Sequence, residues 1–204
     1  MNKFKFVSTL ISNIDVSADK ASILDVGCRT CDLKSYLSTS SKYEGVDLFQ
    51  NDNGTVDHVL DVSNGLPFSD RSYDYVIALD LLEHLDDITA GLEEFRRVSK
   101  KAVIVILPNI AHIIFRLRFL FSGRISGKYD LNYGYGKDRH RWLTNIEQCD
   151  AYMKAFAENN QLSVKIIYFN DSLKKQLLAR LLGILGFKPN VWAWNSLYII
   201  RPIE

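Results

Sequence analysis

The sequence predicts an α/β fold, a mostly parallel sheet covered by helices on both faces. Short apolar segments alternate along the chain with segments of helical periodicity, which implies right-handed βαβ crossovers. Two of the apolar segments, residues 73–79 and 102–107, are nearly continuous in apolar character, as strands buried on both faces are. The stretch 22–33 reads as a strand, a break at Gly27 and a helix start, the arrangement by which such folds offer backbone N–H groups to a bound molecule. The 204 residues suit one well-cored domain spanning 1–204 and are few for two.

Taken in order, Phe4, Val7, Leu10, Ile11 and Ile14 fall at helical spacing and predict an amphipathic first helix. Residues 17–20 link it to the first strand, 22–26. After the turn at Gly27, which accepts a positive φ and leaves room for a ligand, a helix is expected over 32–37. Strands follow at 43–46, 56–60 and 73–79. Ile88, Leu92, Phe95 and Val98 mark a second amphipathic helix, and the β-branched run 102–107 a fifth strand stopped by Pro108. Ile110, Ile113, Ile114, Leu117, Leu120 and Phe121 share one helical face, and a polar loop rich in Gly and Tyr covers 122–138. Residues 110–144 therefore read as a helix-plus-lid insertion, since a loop of that length in a small domain is normally functional. Thr144 with Glu147 suggests a capping box opening a helix over 145–158. A strand at 162–169, an apolar helix at 173–185 closed by Gly186 and Pro189, and a last strand at 191–200 complete the chain.

Twenty-five basic residues against 24 acidic give a net charge of +1, which argues against a general nucleic-acid binder. Cys28, Cys31 and Cys149 are an odd count without a framework, so no disulfide-stapled secreted domain is expected. Cys28 and Cys31 form a Cys-x-x-Cys, but no second pair follows and no His lies near in sequence. They are read as small residues in a ligand turn, and no metal is expected. The N-terminus does not read as a signal peptide and no apolar run approaches membrane-spanning length, so a cytoplasmic location is expected.

Asp25-Val26-Gly27-Cys28 resembles the first motif of class I S-adenosylmethionine-dependent methyltransferases, Asp/Glu-x-Gly-x-Gly-x-Gly, although Arg29 and Cys31 hold the second and third glycine positions. Downstream, Asp61 to Asp70 with its Leu66-Pro67-Phe68, then Tyr73-Asp74-Tyr75-Val76, then Glu83-His84-Leu85 resemble the family's later motifs at the family's spacing. The run from Leu107-Pro108-Asn109 through residues 116–121, 122–124 and His140 resembles the MetW-like branch. The resemblance implies a Rossmann-like seven-stranded sheet of order 3-2-1-4-5-7-6 with the last strand antiparallel, and S-adenosylmethionine as cofactor.

In open parallel sheets ligands sit outside the carboxyl ends of the strands, so Asp25 and Gly27, Asp47, Asp61 and Val62, and Asp80 converge on one crevice. Asp47, about 20 positions beyond the glycine turn, is placed for a ribose diol, with a solvated turn Asp as the plainer reading. By resemblance, Gly27 and Cys28 line the methionine portion, Asp47 and Leu48 the ribose, and Asp61 with Val62 the adenine. The reagent is already activated, so alignment is the main task, and a base is needed only for a weakly acidic acceptor. His140 is the candidate base, with a loop-bonding histidine as the equal alternative. His84, Tyr133, Tyr135, Arg139 and Arg141 are candidate acceptor-binding residues.

The basic residues clustered between 116 and 141 suit a small anionic acceptor: a sugar, a phosphorylated metabolite or a lipid-linked intermediate. With the apolar helices at 110–121 and 173–185 they also suit an anionic membrane surface. Burial of those helices in a core or a homodimer interface is the plainer alternative. A catalytically silent binding or regulatory protein on the same fold is the second functional reading. A nicotinamide-dependent oxidoreductase is weaker, because Gly-x-Gly-x-x-Gly is absent.

Overall fold

The computed structural model describes residues 2–14, 18–125, 129 and 140–203. Among them the strands are β1 (Ser22–Val26), β2 (Lys42–Asp47), β3 (His58–Val59), β4 (Tyr73–Leu79), β5 (Ser99–Pro108), β6 (Leu162–Phe169) and β7 (Asn195–Pro202). They form one sheet of order β3-β2-β1-β4-β5-β7-β6. The first five run parallel, and β7 lies antiparallel between β5 and β6, as expected from the sequence. The helices are α1 (Lys3–Ile14), α2 (Ile88–Val98), α3 (Ile113–Ser122), α4 (Ile146–Asn159), α5 (Leu173–Ile184) and α6 (Pro189–Trp192).

Side-chain alternation along the strands divides the core in two. Leu24, Val26, Val76, Ala78, Val103 and Val105 point to the face covered by Leu92, Phe95 and Val98 of α2 and by Met153 and Phe156 of α4. Ile23, Tyr75, Ile77, Ile104 and Ile106 point to the other face, where Val7 and Ile11 of α1 and Leu33 cover them. Arg97 at the end of α2 clasps the Leu-Pro-Phe loop. Its guanidinium donates to the carbonyls of Leu66 and Phe68, both at 2.8 Å, and to Asp70 at 2.7 Å.

Four elements depart from the sequence expectation for local reasons. Residues 32–36 form a short 3-10 helix instead of an α-helix, because Cys31 at its N-cap is left-handed (φ 56°) and offers no side-chain cap. Thr144 does not cap α4. Its hydroxyl donates to the Pro108 carbonyl at 2.8 Å, and Asn145 caps instead through Gln148 N at 3.1 Å. The strand expected from 191 begins at Asn195, since Pro189 opens the turn of helix α6. The third strand shrinks to His58–Val59. Helices α3 and α5 differ from the plain core reading: α3 buries no residue and α5 only Ala179. No helix among the described residues is long and apolar enough to cross a membrane.

Beneath the first turn, Cys28, Cys31 and Val56 make a small satellite core against Tyr43. A Cβ on Gly45 would fall 2.9 Å from Cys28 Sγ and 3.2 Å from Cys31 Sγ. Gly45→Ala is therefore expected to destabilise the fold by about 1–3 kcal/mol, the usual penalty of overpacking. Adding Cys28→Ala should recover part of that loss in chemical denaturation. Equal stability of the single variant and the parent chain would contradict the packing described.

Candidate functional site

The carboxyl ends of β1, β2, β3, β4 and β5 share one edge of the sheet, and the strand order reverses between β1 and β4. A ligand is expected at that reversal. The turn after β1 is tied to β2. The amides of Gly27 and Cys28 both donate to the Val46 carbonyl, at 2.8 and 3.0 Å, and the Arg29 amide donates to Asp47 Oδ2 at 2.8 Å. These three donors thus serve the scaffold, whereas the sequence pattern suggests donors aimed at a ligand. Gly27 has φ 76°, and a Cβ there would press on Leu81 Cδ1 at 3.0 Å. Arg29 and Cys31 adopt left-handed backbone at φ 48° and 56°, the conformation that the family's glycines favour. The Arg29 side chain is exposed, while Cys28 and Cys31 are buried, with Sγ atoms 3.4 Å apart. Burial raises the Cys28 thiol above its usual range, so it stays protonated and inert. The Cys28 backbone is engaged as well, its amide on Val46 and its carbonyl accepting from the Cys31 amide at 2.8 Å.

Asp47 ends β2, with Leu48 exposed beside it. Asp61 spends one oxygen on the Ser63 amide (2.9 Å), and Val62 behind it is buried. Asp25 lies deeper than the sequence suggests: it is buried and accepts from Tyr43 OH at 2.8 Å. Burial, partly offset by the Tyr43 hydrogen bond and the Lys3 charge, pushes its carboxyl up to about 7. Asp25 therefore supports the floor of the crevice.

A second hollow of about 490 Å³ opens beside the crevice, lined by Lys3, Phe4, Asp80, Glu83, His140 and Trp194 among others. Asp80, with φ 57°, turns the chain out of β4 and pairs with Lys3 Nζ at 2.6 Å. Lys3 is a residue that the sequence pattern does not single out, because only the folding of α1 across the sheet brings it there. The chain after the loop is docked onto the turn after β4. Arg141 N donates to the Glu83 carbonyl (2.8 Å), Arg141 Nε to the His84 carbonyl (3.0 Å) and Trp142 Nε1 to the Leu85 carbonyl (2.8 Å). This docking stacks the His140 ring edge-on against His84, with centroids 4.6 Å apart. It also sets His140 Nε2 at 4.0 Å from Glu83 Oε1.

One carboxylate oxygen of Glu83 and one ring nitrogen each of His84 and His140 are close enough together to hold a metal ion. Sequence spacing hides this grouping, since His140 is remote from the adjacent Glu-His pair. His140 lines the hollow with Glu83, and His84 stands against the His140 ring. Arg141 spends its guanidinium on the His84 carbonyl and on Asp86, 2.8 Å away. Tyr133, Tyr135 and Arg139 lie outside the described residues.

A family model described as a methyltransferase domain matches residues 4–160. No curated protein matches the chain. Among solved structures, a SAM-dependent methyltransferase from Archaeoglobus fulgidus superposes with a TM-score of 0.62 at 15% identity, over 98% of this chain and 94% of that one. The small RNA methyltransferase HEN1 gives 0.64 at 18% identity, over 100% of this chain and 25% of that one. The [4+2]-cyclase SpnF gives 0.58 at 12% identity, over 98% and 82%. At these identities the likenesses establish the fold alone.

The raised pKa of Asp25 makes stability depend on pH. Its folded value of about 7 exceeds the ordinary 3.8, so between these values the folded chain holds a proton that the unfolded chain has released. Stability contributed by this group therefore falls as pH rises through that window. Asp25→Asn, which removes the buried charge and leaves an acceptor for Tyr43, should melt above the parent chain at pH 8 by on the order of 5 °C. The gap should close toward pH 4 in thermal melts. Parallel profiles for the two proteins would rule the buried carboxyl out.

Proposed function

The chain belongs to the methyltransferase domain family, and we propose that it moves the methyl group of S-adenosylmethionine to a hydroxyl on a small, lipid-linked acceptor. The observation that carries this reading is the pairing of two adjoining sites: strand-end carboxylates at the sheet's reversal, and a polar hollow beyond Asp80.

The residues fit the cofactor. Asp47 already receives the Arg29 amide at 2.8 Å and the Phe49 amide at 3.3 Å. A carboxylate has about four acceptor positions, which leaves two for a ribose diol. Gly27 lets the turn pass tight against Leu81 at the strand end, and Asp61 with Val62 bounds the adenine side. S-adenosylmethionine supplies an activated methyl group on a sulfonium. The chain's own work is to hold the acceptor oxygen in line with it and to keep water out. Glu83, His84 and His140 face the acceptor's hydroxyl, and His140 Nε2 is the atom placed to relieve it of its proton.

Helices α3 and α5 support the lipid-linked acceptor. Leu120 is 72% exposed, Phe121 82% and Ile184 76%, a density of apolar surface that a soluble exterior seldom carries. Phe115 of α3 packs on Trp194 at 4.9 Å, and Lys175 Nζ of α5 sits 3.3 Å above the same ring, so both helices border the hollow. Exposed Arg116, Arg118, Lys174 and Arg180 on these helices suit anionic headgroups. A catalytically silent binding protein is the second reading, since one fold hosts unrelated functions, as the [4+2]-cyclase that shares it illustrates.

S-adenosylhomocysteine at about a hundredfold over its dissociation constant should raise the melting temperature by several degrees, and NAD should not. With radiolabelled S-adenosylmethionine and a membrane fraction, label should enter the lipid extract. His140→Ala should slow that transfer by about 10²–10⁴-fold. A melting temperature unmoved by S-adenosylhomocysteine would favour the silent reading, and label confined to water-soluble products would refute the lipid-linked acceptor.

A further inference from the structure

We propose that Glu83, His84 and His140 hold a divalent transition-metal cation on the wall of the hollow, and that the cation takes the acceptor's hydroxyl. The role of the hydroxyl rests on the methyl-transfer reading above; the cation site itself does not. One oxygen and two ring nitrogens from these residues all lie within 4.8 Å of one another. Ligands bound at about 2.0–2.2 Å stand roughly 3–3.5 Å apart around one ion, so modest side-chain rotation closes the set.

His140 presents the tautomer that a ligand needs. Tyr129 has a single hydroxyl proton, and it goes to the Trp142 carbonyl at 3.1 Å, which can only accept. With the Tyr129 proton on that carbonyl, the 2.8 Å contact between Tyr129 oxygen and His140 Nδ1 is made by a proton on Nδ1. In the neutral ring, Nε2 carries a lone pair, and Glu83 Oε1 lies 4.0 Å from it. A cation between the two would be held by the nitrogen lone pair and the carboxylate together. The separation is too long for a direct hydrogen bond and somewhat wider than the roughly 3–3.5 Å between two ligands of one ion, a gap that side-chain rotation closes. The side chains of Glu83 and His140 are 1% and 10% exposed, so little solvent reaches the pair. The competing occupant is a proton on Nε2.

The site is also rigid. The docking of residues 140–142 on the 83–85 carbonyls fixes one ligand against the other two, and the Tyr129 hydroxyl orients the His140 ring from outside, as partners of metal-bound histidines do. Asp80 adds a further oxygen to the same hollow: its Oδ1 is buried without a hydrogen-bond partner among the described residues. One carboxylate with two imidazoles selects a first-row divalent ion over calcium or magnesium, which favour all-oxygen shells. Three protein ligands leave positions open for water and for an acceptor hydroxyl. Bound there, the hydroxyl loses its proton to solvent and its oxygen attacks the sulfonium methyl carbon. The carbon–sulfur bond breaks with its electron pair going to sulfur, giving a methyl ether, S-adenosylhomocysteine and one proton. With the cation bound, His140 Nε2 serves as ligand in place of the base role it has without metal, and the proton leaves through water at an open coordination position.

The test titrates EDTA-stripped full-length protein with Mn2+, which has little affinity for thiols, and reads free ion by its paramagnetic resonance signal. About one equivalent should bind saturably, and His84→Ala and His140→Ala should each weaken binding by at least about tenfold. Melting curves without metal confirm that each variant is folded; if one is not, the other histidine variant decides. No saturable uptake, or variants that bind like the parent, would overturn the site and leave a proton on Nε2. S-adenosylhomocysteine binding measured in EDTA separates the two readings. Cofactor binding without Mn2+ uptake removes only the metal, and Mn2+ uptake without cofactor binding removes only the methyl-transfer reading.

Discussion

The molecule is organised by one tether, the double donation of the Gly27 and Cys28 amides to the carbonyl of Val46, continued by the Arg29 amide on Asp47. Non-glycine residues in left-handed backbone cost about 1 kcal/mol or more each, and this turn carries two of them, Arg29 and Cys31. The tether and the satellite core of Cys28, Cys31 and Val56 offset that strain. Because the turn is held from β2, it keeps its left-handed course with Arg29 and Cys31 at positions where glycine would be unstrained. The Arg29 side chain is exposed at the rim, both thiols are buried, and Asp47 sits at the strand tip. Gly45 completes the device, since only a missing Cβ lets the sulfurs sit there.

The second half of the site depends on the first through β4 and β5. These strands share their register from Tyr75 with Ala102 to Leu79 with Ile106, which brings the turn after β4 beside the end of β5. The chain leaving β5 returns over that turn, and its backbone and side-chain donors fasten residues 141 and 142 to the carbonyls of 83–85. His140 reaches Glu83 and His84 by this route. Lys3, delivered by α1, balances Asp80 at the mouth of the same hollow. The carboxylates at the ends of β1 and β2 and the imidazoles that follow β4 thus belong to one edge of the sheet.

Much of this was legible in the sequence because it is local. Strand and helix periods predicted the alternating elements, and the resemblance carried by the Asp-x-Gly turn and the Leu-Pro-Phe and Glu-His segments implied the sheet order that the structure has. Element ends were less legible. Thr144 was diverted from capping by the Pro108 carbonyl, and Pro189 converted the start of a predicted strand into a helical turn. The destination of the turn amides was illegible, since it depends on Val46, nearly twenty residues away. The grouping of His140 with Glu83 and His84 depends on tertiary docking, which no spacing rule encodes. The apolar stripes of α3 and α5 were visible, but periodicity alone does not say whether a stripe is buried, and these are not.

The most direct measurement is a calorimetric titration of S-adenosylhomocysteine into the parent chain and into Asp47→Ala. The tethered turn and the β2 carboxylate predict a single site of micromolar affinity in the parent. Losing hydrogen bonds to a charged group should weaken it by at least about tenfold in the variant. Absence of binding to the parent, or equal affinity in both proteins, would contradict the cofactor site at the β1–β2 edge.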